Sequence, residues 1–477
     1  MRRLLLILSQ CGALAACSFA PRYSEPTPPT PPPAQYQEVG DWQTSAPADS
    51  HSRGEWWTVF QDPILDALEN RVTTANQDIK AAFARLQQAR AQTRIERSAY
   101  FPTLTAGPSA KRSRTSVNSP LYTPGKPTIG NDFLLEADLS YEIDVWGRIR
   151  NTVASARASE QASAADLATL DLSTHAELAN DYFTLCGQDT EQALLDQTVA
   201  DYVRAVQLTR LLFEGGAAAR ADVDQAEAQL QTARTQATDI RLRRAQTEHA
   251  IAVLVGESPS TFHLDSKQLG LNRVPPAIDP GLPSVLLERR PDVAAAERRT
   301  AAANAQIGVA RAAYFPVFSL AGAAGLESTK TSNWISAPSR LWSIGPSAVL
   351  TVFDAGRHRA ESAQAQARYD EEVANYRETV LTAYQEVEDN LVALRDLEAE
   401  AVSQAAAVAA TASALKQAQF QYQGGLVTYL QVVVTENAAL QAQLSAADIQ
   451  IRRMSAAVLL IKALGGGWRS PSNGRPS

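Results

Sequence analysis

Between residues 133 and 143 apolar and polar side chains alternate. Phe133, Leu135, Ala137, Leu139, Tyr141 and Ile143 occupy odd positions, with Glu136, Asp138, Ser140 and Glu142 between them. A period of two over this length predicts a two-faced strand, long enough to cross a bilayer at a tilt. A second stretch repeats the pattern: Ile344, Pro346, Ala348, Leu350 and Val352 alternate with Gly345, Ser347 and Thr351. Weaker partner strands, interrupted by Gly and Pro, are expected near 103–110 and 317–326. Elsewhere the apolar period lengthens to that of a helix. No Pro occurs between Gly147 and Gly215, or between Gly356 and Gly424. A continuous helix of that length measures on the order of 100 Å. This exceeds any globular-core helix and predicts coiled-coil packing. The seam of the second stretch is Val373, Tyr376, Val380, Tyr384, Val387, Leu391 and Leu394, in steps of three or four. In the first stretch Asp171 and His175 interrupt the matching seam, and His175 is expected as an exposed or lumen-facing residue.

These elements occur twice in one order. Tyr100-Phe101-Pro102 returns as Tyr314-Phe315-Pro316, 214 residues later, and Gly147-Arg148 returns as Gly356-Arg357, 209 later. The offset of 209 holds for Phe213-Glu214-Gly215-Gly216 against Tyr422-Gln423-Gly424-Gly425, and for Leu254-Val255-Gly256 against Ala463-Leu464-Gly465. The chain is read as a tandem duplication. Each half runs helix, strand, loop, strand, very long helix, Gly-Gly turn, helix. The opening helices are expected over 64–98 and 284–313, each stopped by Tyr-Phe-Pro. The helices after the Gly-Gly turns are expected over 220–255 and 429–464. The fold class is therefore α+β, mostly α. The predicted segments are a signal peptide (1–16), a Pro-rich N-terminus (17–55), a first repeat (56–256), a linker (257–283), a second repeat (284–467) and a tail (468–477).

Charge and composition narrow the function. The net charge of −7 opposes nucleic-acid binding, which needs a basic stripe to replace counterions. Five His, none at metal-ligand spacing with another, and three Cys predict neither a metal site nor a disulfide framework. No phosphate loop, no nucleophile elbow and no His/Asp cluster appears, so no catalytic residue is assigned. Met1-Arg2-Arg3 and the short apolar run behind it form a secretory signal. It ends in Leu14-Ala15-Ala16-Cys17, a lipobox that marks Cys17 as the lipidated residue; Ser18 after it is compatible with passage to the outer membrane. The Pro-rich run 26–33 reads as a spacer between lipid and fold. No later segment is apolar enough for a spanning helix, so any membrane crossing must use a β-barrel.

Four strands cannot close a barrel, for which about eight is the practical minimum, so several chains must share one. Twelve strands from three chains leave a lumen, which Glu136, Asp138 and Glu142 would line. At this point the chain resembles the TolC-like outer-membrane factors, in particular their lipoprotein branch, the outer-membrane channels associated with resistance-nodulation-division (RND) pumps. The residues carrying the resemblance are Cys17 with Pro21, Tyr23 and Pro26; Trp56-Trp57-Thr58-Val59-Phe60-Gln61-Asp62-Pro63; and Leu287-Glu288-Arg289-Arg290-Pro291-Asp292-Val293 with Ala296-Glu297. Ala313-Tyr314-Phe315-Pro316, Phe353-Asp354-Ala355-Gly356-Arg357 and Ala463-Leu464-Gly465-Gly466-Gly467-Trp468 complete it.

The resemblance implies a homotrimer with a 12-stranded barrel and a helical tunnel. It also implies docking to a periplasmic adaptor and an inner-membrane RND transporter, with no cofactor beyond the lipid on Cys17. The adaptor would meet the hairpin tips, here Gly215, Gly216 and Ala217, and Gly424, Gly425, Leu426, Val427 and Thr428. Related channels carry an Asp, and three residues on an Arg, beyond the second tip. Here Val434 and Asn437 stand at those positions, with Glu436 between. Closure then falls either to an apolar ring at Val434 or to Glu436, Asp222 and Asp224. Two other outlets remain open on the sequence, for protein secretion (type I) or for metal ions. A coiled-coil surface lipoprotein would leave the duplicated strands unexplained.

Overall fold

The computed structural model describes residues 18–33, 35–39, 54–120, 122–278 and 289–466. Cys17 and the signal peptide, residues 284–288 and the tail from Trp468 lie outside the described residues. The first half contains helices α1 (Pro63–Ala75) and α2 (Gln77–Ser98), strands β1 (Thr103–Arg114) and β2 (Ile129–Ile143), and helices α3 (Arg148–Glu214) and α4 (Arg220–Leu254). The second half contains α5 (Pro291–Ala312), β3 (Val317–Ser328), β4 (Arg340–Val349), α6 (Arg357–Gln423) and α7 (Tyr429–Ala463). The duplication survives in the lengths: α3 and α6 have 67 residues each, and α4 and α7 have 35 each.

Several boundaries differ from expectation: β1 runs on to Arg114 and β2 already begins at Ile129, so their hairpin is longer than the alternation alone marked. The helix expected over 64–98 is broken at Asn76, whose extended backbone (ψ 130°) ends α1. The Asn76 carboxamide oxygen then accepts the backbone N–H groups of Asp78 and Ile79, which starts a new helix. The described helix of the second half opens at Pro291, where a missing N–H costs nothing. Strand β4 stops at Val349, short of Leu350 and Val352, because its partner β3 begins at the opposing Val317.

The chain forms two compact units. The first takes Arg85–Ala164 and Ala295–Tyr376 together with the N-terminus up to Thr27, and it contains the sheet. The strands form one antiparallel meander, β1-β2-β3-β4, and the two repeats join through the β2–β3 pair. Register places Leu104, Leu139, Gly322 and Ile344 in one row across the sheet, and Thr105, Asp138, Ala323 and Ser343 in an adjacent row on the opposite face. Among the described residues nothing covers the apolar face: Leu104, Trp342 and Ile344 are exposed. Where strands meet helices, Phe19 stacks on Phe315 at 4.4 Å, and Trp146 donates its indole N–H to the carbonyl of Pro316 (2.8 Å). The N-terminal segment is thus packed against the fold rather than hanging as a free spacer. Asn304 donates to the Pro21 carbonyl, and the Tyr23 hydroxyl donates to Glu297 (2.6 Å).

The second unit takes Pro28–Ala84, Ala165–Ala294 and the chain from Arg377. Here the N-terminal segment continues over α6. Tyr36 is buried, and the backbone N–H groups of Gln37 and Glu38 donate to the Glu388 carboxylate. The expected seam is buried at Val380, Val387 and Leu391 on α6 and at Leu178, Tyr182 and Leu185 on α3. The duplication recurs in detail. Gly256 and Gly465 follow α4 and α7 with φ of 72° and 86°. A Cβ on Gly256 would meet the carbonyl of Ala75, and one on Gly465 the carbonyl of Arg289, its repeat equivalent. Asn76 donates to the carbonyl of Leu254, and Arg290, at the matching position, to that of Ala463.

Candidate functional site

The two hairpin tips are built alike. At the first, α3 closes with Gly215 donating to Leu211 and Ala217 donating to Leu212 (2.7 Å), and Gly216 takes φ 73°. At the second, Gly424 donates to Phe420 and Leu426 to Gln421 (2.9 Å), and Gly425 takes φ 69°. This is a Schellman-type stop, which needs a residue free to turn left-handed. The glycines are thereby accounted for, but the side chain after them is not. Leu426 is 78% exposed where the first tip has only Ala217. Val427 and Thr428 complete the second tip, and Thr428 precedes the first turn of α7.

The residues weighed for an aperture do not share one environment. The Asp222 carboxylate accepts the backbone N–H of Ala219, capping α4, and Asp224 pairs with Arg220 one turn away. Both acids therefore serve the start of a helix. Asn437 donates its amide to Gln229 on α4 (3.1 Å). Glu436 is half-buried against α3 and α6, and burial pushes its carboxyl up to about 7. Val434 is 55% exposed.

On the sheet, Glu136, Asp138 and Glu142 share one face, alongside Ser319, Ser343 and Ser347 from β3 and β4. Glu142 is not a free charge: Arg148 at the start of α3 holds it with two bonds of 2.8 and 2.6 Å. Among the described residues no three His, Cys, Asp or Glu side chains lie close enough to hold a metal. No described helix is long and apolar enough to cross a membrane.

Comparison with known proteins decides what this architecture is. The outer membrane efflux protein family matches at residues 68–257 and 282–466, that is, over both repeats. The chain belongs to the outer membrane efflux protein family. It is similar to the probable efflux pump outer membrane protein TtgC of Pseudomonas putida, with 31% identity over 462 residues, covering 95% of this chain and 93% of the relative. It is also similar to the pyoverdine export outer membrane protein OpmQ of Pseudomonas aeruginosa, with 30% identity over 474 residues and 98% of each chain. Among solved structures, the outer-membrane channel OprN superposes with a TM-score of 0.83 at 31% identity, covering 95% of this chain and all of that one. The protein is an outer-membrane efflux channel.

Two clusters in this efflux channel escaped sequence reading. His175, expected as exposed or lumen-facing, is 2% exposed and lies between Glu69 (2.5 Å) and Asp171 (3.6 Å), with Trp57 stacked on its ring at 4.6 Å. Burial opposes its charge, but the bonds and charges of Asp171 and Glu69 win and raise its pKa to about 9. Asp62, from the Trp-Trp motif, is the second hub. Its carboxylate accepts Lys267 Nζ (2.8 and 2.7 Å), Arg273 (3.2 Å) and the Tyr182 hydroxyl (3.0 Å), besides the N–H of Ile64. The motif was visible in the sequence, but its partners lie 205 and 211 residues away. Cys186 is a buried thiol, and burial raises its pKa to about 11, which leaves it unreactive.

Proposed function

We propose that three copies of this chain pool their sheets into one 12-stranded barrel, and that the resulting duct passes small toxic compounds from a periplasmic adaptor and an inner-membrane RND transporter to the exterior. The observation that carries the reading is the sheet: four strands, two unclosed edges, an uncovered apolar face and an acidic, serine-rich face. In lipid, unpaired strand edges cost several kcal/mol per backbone group, so the edges of β1 and β4 require strands from sister chains. Eight strands would fill with side chains, whereas twelve leave a passage. The Glu136 and Asp138 face then lines water, and the apolar face meets lipid.

Acylation of Cys17 fits the same geometry. Ser18 bonds Asn151 and abuts Gly147, just past the end of β2, where the strands give way to helices. That is the level of a membrane surface, where acyl chains can enter the bilayer. The exposed Leu426 with Val427 and Thr428 supplies the apolar contact for an adaptor. Transport needs no chemistry by the channel and no cofactor. The test is twofold. Purified full-length protein in detergent is weighed by light scattering, where a trimer is expected and a monomer overturns the reading. A deletion strain is then assayed against a panel of toxic compounds. Restored resistance on complementation supports efflux; unchanged susceptibility throughout the panel rejects it.

A further inference from the structure

One turn beyond the second tip, α3, α6 and α7 leave a cleft of about 720 Å³ between them. Its chemistry is unlike that of the surrounding coiled coil. Tyr202, Tyr422 and Tyr429 contribute rings, with the last two 5.5 Å apart and inclined at 57°. Asp201 and Glu436 contribute carboxylates, and Gln419 an amide. Two polar atoms have no partner. Tyr202 is only 3% exposed, yet its hydroxyl bonds nothing, and one carboxylate oxygen of Glu436 is likewise buried and unpaired. A buried hydroxyl with no partner carries its full desolvation cost, so a chain that keeps one on the lining of the same cleft as an orphaned carboxylate oxygen has left two positions for a ligand to fill.

The lining selects the ligand. Arg204 also borders the cleft, but its guanidinium is spent on Asp201 and is largely exposed. An anion would meet the Glu436 carboxylate. A neutral apolar molecule would leave both polar atoms orphaned. An ammonium group satisfies both, donating one N–H to Glu436 and one to the Tyr202 oxygen, while its substituent packs on the tyrosine rings. The volume lies within the range of pockets for drug-sized molecules.

We propose that this cleft is a binding site for small organic ammonium ions, held by the Glu436 carboxylate and the Tyr202 hydroxyl against a wall of tyrosine. The inference is independent of the transport reading, since binding is measured on purified channel with no pump present.

Binding carries a pH signature. The charged groups facing the site are Asp201 and Arg204 from α3 and Glu436 from α7; Tyr202, Tyr422 and Tyr429, raised by burial, stay neutral. Burial first, and then the Asp201 charge, lift Glu436 to about 7 against the Gln419 bond. An ammonium needs the ionised carboxylate, so affinity rises about tenfold between pH 6 and pH 8.

The test titrates benzylamine into the detergent-purified full chain by calorimetry at both pH values, with benzyl alcohol and benzoate as neutral and anionic controls. Saturable benzylamine binding, stronger at pH 8, is expected. Glu436→Gln should weaken it roughly tenfold at pH 8 and abolish the pH dependence. Tyr202→Phe should weaken it about threefold while raising the stability of the unliganded chain, because an orphaned hydroxyl is gone. Absence of saturable benzylamine binding, equal binding of benzyl alcohol, or unchanged affinity in a folded Glu436→Gln variant each overturns the proposal.

Discussion

Replacing Asp62 should release the segment that joins the repeats. The carboxylate is 2% exposed and holds that segment at two points, Lys267 and Arg273, while also capping α1 through the N–H of Ile64. Asp62→Asn keeps an oxygen for the cap and for Tyr182 but removes the charge. A hydrogen bond to a charged group contributes about 1.5–3 kcal/mol when buried. The Lys267 and Arg273 side chains are 38% and 27% exposed and regain water when released, so each bond is discounted to about 1 kcal/mol. The loss for Asn is therefore about 2 kcal/mol. Asp62→Ala also loses the cap, about 1 kcal/mol more, and strips the buried Tyr182 hydroxyl of its acceptor. Lys267 and Arg273 are themselves trypsin sites, which makes proteolysis a direct assay. A 2 kcal/mol cheaper local opening multiplies cleavage after these residues by roughly 30. Acid adds a second signature. Burial raises the Asp62 pKa, but the bonds from Lys267, Tyr182 and Arg273 outweigh it and leave the pKa below the ordinary carboxylate value of 3.8. Its stabilisation is complete above that value and is lost as pH falls through the lower, folded pKa. Asp62→Asn should remove this acid-dependent loss. Wild-type cleavage rates in the Asn variant would refute the assignment of Asp62 as the anchor.

Further outcomes follow from other sites. At two helix stops of the second half, Gly465→Ala places a Cβ within 2.4 Å of the Arg289 carbonyl at φ 86°, whereas Gly425→Ala at φ 69° meets open space. Thermal unfolding should show about 1 kcal/mol lost at Gly425 and at least twice that at Gly465. Burial already raises the Glu69 carboxyl to about 7, so His175→Ala leaves it protonated and short of a partner, which should cost about 2 kcal/mol. Because the His175 pKa is raised from 6.5 to about 9, its stabilisation is full below 6.5 and disappears as pH rises through 9; denaturant titrations from pH 6 to pH 10 check this. Leu426→Asp should abolish resistance in a complemented strain while trimers persist, and undiminished export would remove the second tip from the mechanism. Val434→Asp should alter the conductance of isolated trimers in planar bilayers; identical currents would place the constriction elsewhere.

The architecture was legible because its information is local and present twice. Period-two alternation assigned the two faces of β2, and the register across the sheet agrees with that assignment at Leu135, Leu139 and Ile143. Uninterrupted helical text between glycines marked out α3 and α6, and constant offsets aligned the repeats. Where the sequence reading went wrong, the deciding partner was remote. Nothing near His175 signals burial, because the carboxylate that admits it to the core is Glu69, on another helix. The break at Asn76 is compensated by a bond to Leu254, 178 residues away. Glu436 stands among the aperture candidates as the acid between Val434 and Asn437, and the cleft it lines is invisible in α7 alone, because α3 and α6 supply its other walls. The Pro-rich N-terminus reads as a spacer until Tyr36 and the Glu388 carboxylate show that it has a bed to lie in. The sequence by itself determined the order of the elements, the span of the two long helices, the duplication and the two faces of the sheet, since backbone periodicity is written in neighbouring residues. Only the tertiary structure decided which polar groups are paired, capped or left open, because the energy of a buried charge depends on atoms that other elements bring to it.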